Sequence, residues 1–187
     1  MKTIALSANT SWYLFNFRKS TINTLISRGY KVLILAPKDD YSQKLINIGC
    51  DFKEIPFARG LSPLSDLLCL VKIFFLFRRR NIDCVCNFTP KSNIFCSMIA
   101  KILNVKYINN ISGLGFVFTK NILLRYVVFA LYKFSQSKAS MVFFQNESDL
   151  NQFLKRKIVN KNNSKRIFGS GVNLEVFKYS QKKKNDA

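Results

Sequence analysis

Two glycine pairs, Gly113-x-Gly115 and Gly169-x-Gly171, each follow a strand-like run. Such pairs can bring backbone N–H groups against a phosphate or a sugar, and each is half of a dinucleotide fingerprint. Neither is completed by a third glycine at the required spacing, and the Gly-x-x-x-x-Gly-Lys loop is missing. The chain therefore carries neither a nicotinamide signature nor a nucleoside-triphosphatase loop. A tight turn needing positive φ is the plainer account of Gly113 and Gly115, and it stays open beside the ligand-binding one. The carboxylates able to serve as a general base are Asp39, Asp40, Glu147 and Asp149. Glu147 and Asp149 equally suit the first turn of a helix, where acids meet the positive end of the dipole, and capping is the preferred role. Lys91 and Arg59 could meet a phosphate, or are ordinary surface charge. Histidine is absent, which removes Ser-His and Cys-His catalysis. Cys50, Cys69, Cys84, Cys86 and Cys96 lie in apolar stretches and read as reduced, buried thiols of a cytosolic protein. Cys84 and Cys86 alternate along a strand and share a face, but with no histidine and no second pair they make no metal site.

The elements that must position these groups follow from apolar periodicity. It predicts strands at 2–8, 30–37, 51–57, 82–88, 106–112, 140–146 and 165–171. Helices are expected at 14–29, 40–49, 62–81, 92–105, 122–137 and 147–159. Gly29 is placed to end the first helix; Ser62 and Pro63 are placed to start the third. Unbroken Val/Ile/Leu/Phe strands, each followed by a helix, mean a parallel sheet covered on both faces. The fold class is α/β, a single doubly wound, Rossmann-like domain, with the polar 51–57 strand at an edge. In such a domain ligands bind outside the carboxyl ends of the strands. The loops there are 7–12, 37–40, 88–93, 111–115, 144–148 and 169–173, all rich in small, amide, hydroxyl or charged groups.

The formal net charge is +20, from 30 basic and 10 acidic side chains in 187 residues. That excess points to an anionic partner: nucleic acid, an acidic membrane surface or phosphorylated ligands, with a merely solvated basic face as the alternative. The aromatics fall in apolar helices and strands and are not interleaved with basic residues on a platform, which argues against specific nucleic-acid recognition. "LLCLVKIFFLF" (67–77) and "ILLRYVVFALYKF" (122–134) are interrupted by Lys72, Arg125 and Lys133. Both fall short of the roughly twenty apolar residues a span requires. They read as core helices or as helices that dip into a surface.

Taken in order, "NTSWYLFNFRKSTINTLISRGYKVLILAPKDD", "FTPKSNIFCSMIAKILNVKYINNISGLGFVFT", "VFFQNESDLNQF" and "GSGVNLEVF" form a recognisable set. The set resembles the amino-terminal, acceptor-side domain of family-four glycosyltransferases of the GT-B architecture. It is most similar to bacterial enzymes that extend lipid-linked oligosaccharides and surface polysaccharides, and the resemblance runs over about residues 2–178. It implies one half of a two-domain enzyme that transfers a sugar with retention and without a bound metal or other cofactor. The nucleotide-sugar donor would be held by a second domain, and the acceptor would be a polyprenyl-diphosphate-linked saccharide. Residues 1–178 would then be the acceptor-side domain and 179–187 a basic tail or truncated linker, the isolated chain being inactive alone.

By the same resemblance, Asn9, Ser11, Trp12 and Lys91 would shape the acceptor side, and Ser112, Gly113, Leu114 and Gly115 the floor of the cleft. Gln145, Asn146 and Glu147, with Gly169, Ser170 and Gly171, would line its rear wall near the hinge. No catalytic residue is assigned. The chain departs from the pattern in its first loop, "ANTSW" in place of a Gly-Gly loop, in its lack of histidine, and at Asn173, where the family carries an acid. The expected location is cytoplasmic, peripheral on the inner face of the cell membrane, through helices 63–80 and 122–138. A basic nucleic-acid- or membrane-binding module, or an inactive remnant, is the alternative.

Overall fold

The computed structural model describes residues 1–58, 60, 62–114 and 122–171. Seven strands alternate with six helices: β1 (Thr3–Ser7), α1 (Ser11–Ser27), β2 (Lys31–Ala36), α2 (Ser42–Asn47), β3 (Asp51–Glu54), α3 (Pro63–Arg79), β4 (Cys84–Asn87), α4 (Pro90–Ile102), β5 (Lys106–Ile111), α5 (Ile122–Gln136), β6 (Met141–Phe144), α6 (Glu147–Lys155) and β7 (Ser164–Arg166). The strands form one sheet in the order β3-β2-β1-β4-β5-β6-β7. Every neighbouring pair is parallel. The doubly wound, Rossmann-like sheet expected from the sequence is therefore present, with the short polar β3 at one edge. The order reverses where β1 pairs with both β2 and β4, and the crevice at such a switch point is where doubly wound folds hold ligands.

Alternation along the strands sorts the core into two layers. Leu6, Ile34 and Val32 pack with Leu14 and Ile22 of α1 and Leu45 of α2. Ala5, Leu33, Leu35, Val85, Tyr107 and Val142 face α3, α4, α5 and α6 on the other side. Phe153 of α6, fully buried, is met edge-on by Tyr132 at 5.1 Å, Phe144 at 5.1 Å and Phe129 at 6.2 Å. Edge-to-face contacts of this kind add to area burial, so the cluster locks α5 and α6 onto β6.

Helix boundaries depart from the apolar periodicity where polar caps intervene. α1 begins at Ser11, not at Leu14, because the Thr10 hydroxyl accepts from the Tyr13 N–H at 3.1 Å. α6 ends at Lys155 and not at 159, since Lys157 takes φ 53 and closes the helix. β7 stops at Arg166, ahead of Gly169 at φ 94, where the chain turns. Helix α3 starts with Pro63 as expected, but the Ser62 side chain makes no capping bond to the backbone and donates to Ser65 Oγ instead.

All five thiols are free. Cys50, Cys69 and Cys96 are buried as expected, whereas Cys84 and Cys86 are only half-buried. Cys86 packs at the margin of the core layer under α1 and α2, and Ile108, Met141 and Phe143 on the same side of β5 and β6 are also half-buried.

Candidate functional site

At the switch point the loops after β1 and β4 are tied together. The Asn9 N–H donates to Thr89 Oγ1 at 3.0 Å, and Ser92 Oγ accepts from the Thr89 N–H at 3.1 Å. Asn9 itself is exposed. Ser11 is fully buried; its hydroxyl donates to the Pro37 carbonyl at 2.8 Å and meets Ser42 Oγ at 3.1 Å, so it joins the loops after β1 and β2. Trp12 is exposed and packs edge-on to the exposed Phe17 at 5.5 Å. Its N–H donates to Asp39 Oδ2 at 3.0 Å, while Asp39 Oδ1 accepts from the Tyr41 N–H at 2.9 Å. That carboxylate, a candidate base by sequence, holds two backbone donors near the start of α1. Asp40 is exposed beside it.

Lys91 stands in the first turn of α4, a poor place for a cation because the helix dipole is positive there. Asp66 of the first turn of α3 compensates, forming an ion pair in which both side chains are about one-fifth exposed. The lysine is thus at the functional edge with its charge already engaged. Arg59 lies outside the described residues.

The loop after β5 carries Ser112, exposed, Gly113, half-buried, and Leu114, buried. The Leu114 N–H donates to Asp149 Oδ2 at 3.1 Å, and the same oxygen accepts from Asn146 Nδ2 at 2.7 Å. Asn146 caps α6, its Oδ1 accepting from the Asp149 N–H at 2.8 Å. Asp149 thus sits in the first turn of α6, where its carboxylate ties the Asn146 cap to the glycine loop. Glu147 pairs with Arg166 at 3.3 Å in an exposed contact of little energetic weight. Gly113 is not among the glycines with positive φ, and a Cβ there would meet nothing within 4 Å. The positive φ of a tight turn is therefore absent at Gly113, and none of the described residues crowds it. Gly115 lies outside the described residues.

At the rear, Gly169 and Gly171 do require glycine, at φ 94 and φ 73. Between them Ser170 Oγ accepts from Gln145 Nε2 at 3.2 Å, so the two segments expected to form one wall are in contact. Sequence reasoning missed the residue that joins this wall to the switch point. Arg18 lies in the buried stripe of α1 with Ser11, Leu14 and Ile22. Its Nη2 donates to Ser170 Oγ at 2.9 Å and to Tyr13 Oη at 3.0 Å, and its guanidinium sits 4.4 Å over the Phe88 ring. The available signal was its spacing, four residues from both Leu14 and Ile22.

Behind the edge, Asn87 Nδ2 donates to Asn109 Oδ1 at 2.8 Å, Ser97 Oγ donates to the same oxygen at 3.0 Å, and Asn109 Nδ2 donates to Gln136 Oε1. This buried network fixes α4 and α5 against β4 and β5, and so holds the loops above them. The buried thiols offer no nucleophile: burial, with the Asp51 charge adding, pushes Cys50 up to about 11. Burial likewise raises Cys69 to about 11 and Cys96 to about 12.

The model of a family described as glycosyl transferase 4-like matches residues 3–146. Among curated proteins, an N,N'-diacetylbacillosaminyl-diphospho-undecaprenol alpha-1,3-N-acetylgalactosaminyltransferase of Campylobacter jejuni is 30% identical over 172 residues, spanning 88% of this chain and 45% of that protein. Among solved structures, HepE of Anabaena in complex with UDP and glucose superposes with a TM-score of 0.65 at 13% identity, over 97% of this chain and 47% of that one. A glycosyltransferase from Rickettsia africae gives 0.62 at 15% identity, over 95% and 45%. A UDP-N-acetylglucosamine 2-epimerase gives 0.62 at 15% identity, over 87% and 47%. At these identities the structures share the fold. The chain spans about half the length of the relatives it matches.

Proposed function

We propose, because this chain belongs to the glycosyl transferase 4-like family, that it is the acceptor-side half of a retaining glycosyltransferase. The enzyme would move a sugar from a nucleotide-sugar to a polyprenyl-diphosphate-linked saccharide. The observation that carries the reading is the relative from Campylobacter jejuni, whose name specifies a diphospho-undecaprenol acceptor. The match to it covers 88% of this chain, and the family model takes in residues 3–146, from the Asn9 loop to Asn146. In this reading Asn9, Trp12, Ser112 and Gly113 present the crevice to the acceptor. Ser11, Lys91 and Leu114 hold its walls through their buried contacts. Gln145, Asn146, Glu147 and Gly169–Gly171 form the rear, and a donor-binding half completes the cleft.

The same reading sets the domain at 1–178 and gives the exposed apolar rows of α3 and α5 a purpose. Leu64, Leu67, Leu68, Val71 and Phe75 of α3 are all exposed, as are Ile122, Leu123, Tyr126 and Val127 of α5. They are interleaved with Lys72, Arg78, Arg79, Arg125 and Lys133. No helix among the described residues is long and apolar enough to cross a membrane. Apolar side chains beside basic ones suit docking to an anionic membrane face, where a polyprenyl acceptor resides. Transfer is tested by joining residues 1–171 to the donor-side half of the Campylobacter jejuni relative and supplying nucleotide-sugars with a short prenyl-diphosphate-linked saccharide. Product from the chimera, with none from the chain alone, is the expected result. A chimera that folds and binds nucleotide-sugar yet never uses a prenyl-diphosphate acceptor would refute the assignment.

A further inference from the structure

Arg18 is 7% exposed, and among the described residues no carboxylate reaches it. Among the described residues only Nη2 of its guanidinium has acceptors, Tyr13 Oη and Ser170 Oγ. Nε is buried with no partner. A buried charge without a counter-charge is costly, and a chain seeking stability alone would place an apolar residue in this stripe between Leu14 and Ile22. The guanidinium lies instead over the Phe88 ring at 4.4 Å and faces the neighbouring Tyr13 ring at 5.6 Å. These orient its plane but do not neutralise it. Phe88 directly follows β4, and Ser170 and Gln145 bring in the ends of β7 and β6, so the unspent donors lie at the carboxyl edge.

A second orphan shares that side of the sheet. Asn110 of β5 is one residue out of phase with Asn109, whose amide faces α4 and α5, so Asn110 faces the α1 side. Its Oδ1 is buried with no partner. The edge thus offers an unpaired cation and an unpaired amide oxygen, suited to an anion and a hydroxyl respectively.

We propose that Arg18 is the anion-binding residue of the crevice and takes a phosphoryl oxygen of a diphosphate ester. The proposal rests on the acceptor-side reading above and deepens it: the diphosphate is that of the prenyl-linked acceptor. A planar guanidinium with free donors matches phosphoryl oxygens better than an ammonium does.

The test is calorimetric titration of the chain at fixed ionic strength with geranyl diphosphate and, separately, with UDP. It uses wild type, Arg18→Lys, Arg18→Met and, as a control for bulk charge, Lys161→Gln. Loss of a charge-assisted contact should weaken geranyl diphosphate binding by about 10- to 100-fold in Arg18→Met, with Arg18→Lys between and Lys161→Gln unchanged. Without ligand, Arg18→Met should melt no lower than wild type, because the charge removed was uncompensated; a merely structural arginine would lower it. Equal affinity of Arg18→Met and wild type, or a lowered melting point without ligand, overturns the role of Arg18 and leaves the acceptor reading standing. Arg18-dependent binding of UDP in preference to geranyl diphosphate overturns the acceptor assignment of the diphosphate. Wild type that binds neither probe overturns both.

Discussion

Asp149 is the point at which the glycine loop and the α6 cap depend on one atom, and its removal should be felt at both. The side chain is 4% exposed, and Oδ2 accepts from Leu114 N–H at 3.1 Å and from Asn146 Nδ2 at 2.7 Å. Asp149→Ala leaves the buried Leu114 N–H unpaired, at about 1–3 kcal/mol. It also removes a charge from the positive end of α6, at about 0.5–1 kcal/mol. The Asn146 cap to the residue-149 N–H survives, because that bond is made by the backbone. The expected loss is therefore about 2–4 kcal/mol. Asp149→Asn retains an oxygen for the Leu114 N–H and gives up the charge and the bond from Asn146, for about 1–2 kcal/mol. Urea unfolding followed by far-ultraviolet dichroism gives both values if the slope is unchanged, so that the midpoint alone reports stability. Asp149→Ala within about 0.5 kcal/mol of wild type would show that the loop is not held by this bond. Equal losses for the two variants would show that charge, and not the oxygen facing Leu114, is what matters.

Two further outcomes follow from burial. Leu67 and Leu68 on α3 are 57% and 61% exposed, so Leu67→Ser/Leu68→Ser should leave the fold intact while removing about 1 kcal/mol of membrane insertion each. Co-sedimentation with vesicles rich in anionic lipid should then fall by roughly 30-fold, and wild-type binding should fall with salt; equal pelleting with neutral vesicles at every salt level counts against the membrane reading. For the thiols, Cys50 and Cys69 are raised to about 11 and Cys96 to about 12, from an ordinary 9.0. A folded-state pKa raised above the unfolded one favours the native state fully below the unfolded value. Stability from this source should hold up to about pH 9 and be lost between there and about pH 12. At pH 8 a thiol reagent should label Cys84, whose thiol is held below its ordinary value by the bond with Cys86, well before Cys50, Cys69 and Cys96, and labelling of Cys84 at their rate refutes the argument.

The order of elements was legible because the inner parallel strands, such as β1 and β2, read as nearly unbroken apolar runs, and a run of that kind needs a helix on each side. What apolar periodicity could not place was set by polar atoms. Thr10 extends α1 by three residues, and Lys157 and Gly169 cut short the last helix and strand. The two segments proposed for the rear wall do touch, through Gln145 and Ser170. Lys91 was legible as a position and not as a state, because its partner Asp66 lies 25 residues away on α3. Gly113 misled: glycine there answers neither to φ nor to crowding by the described residues. Arg18 was hidden by its type, since an arginine in a helix reads as surface until its place between Leu14 and Ile22 is counted. Gly115, Arg59 and the hinge beyond Gly171 lie outside the described residues.

The charge excess and the buried arginine are separate devices, and the acidic residues show why. Asp39, Asp51, Asp66, Asp83, Asp149 and Glu147 are each held by a backbone N–H, a basic side chain or a cap. With 10 acids against 30 basic side chains, a surplus of +20 remains whatever the acids bind, and most of it must face outward. Outward charge acts over about 10 Å at 0.1 M salt and is screened beyond it. It can hold the domain near an anionic face, but it cannot select one ligand from another. Arg18, only 7% exposed, is shielded from that screening. Added salt should therefore release the domain from vesicles well before it releases a diphosphate from the crevice. A single salt dependence shared by both would mean that the buried guanidinium contributes no more than the surface lysines do.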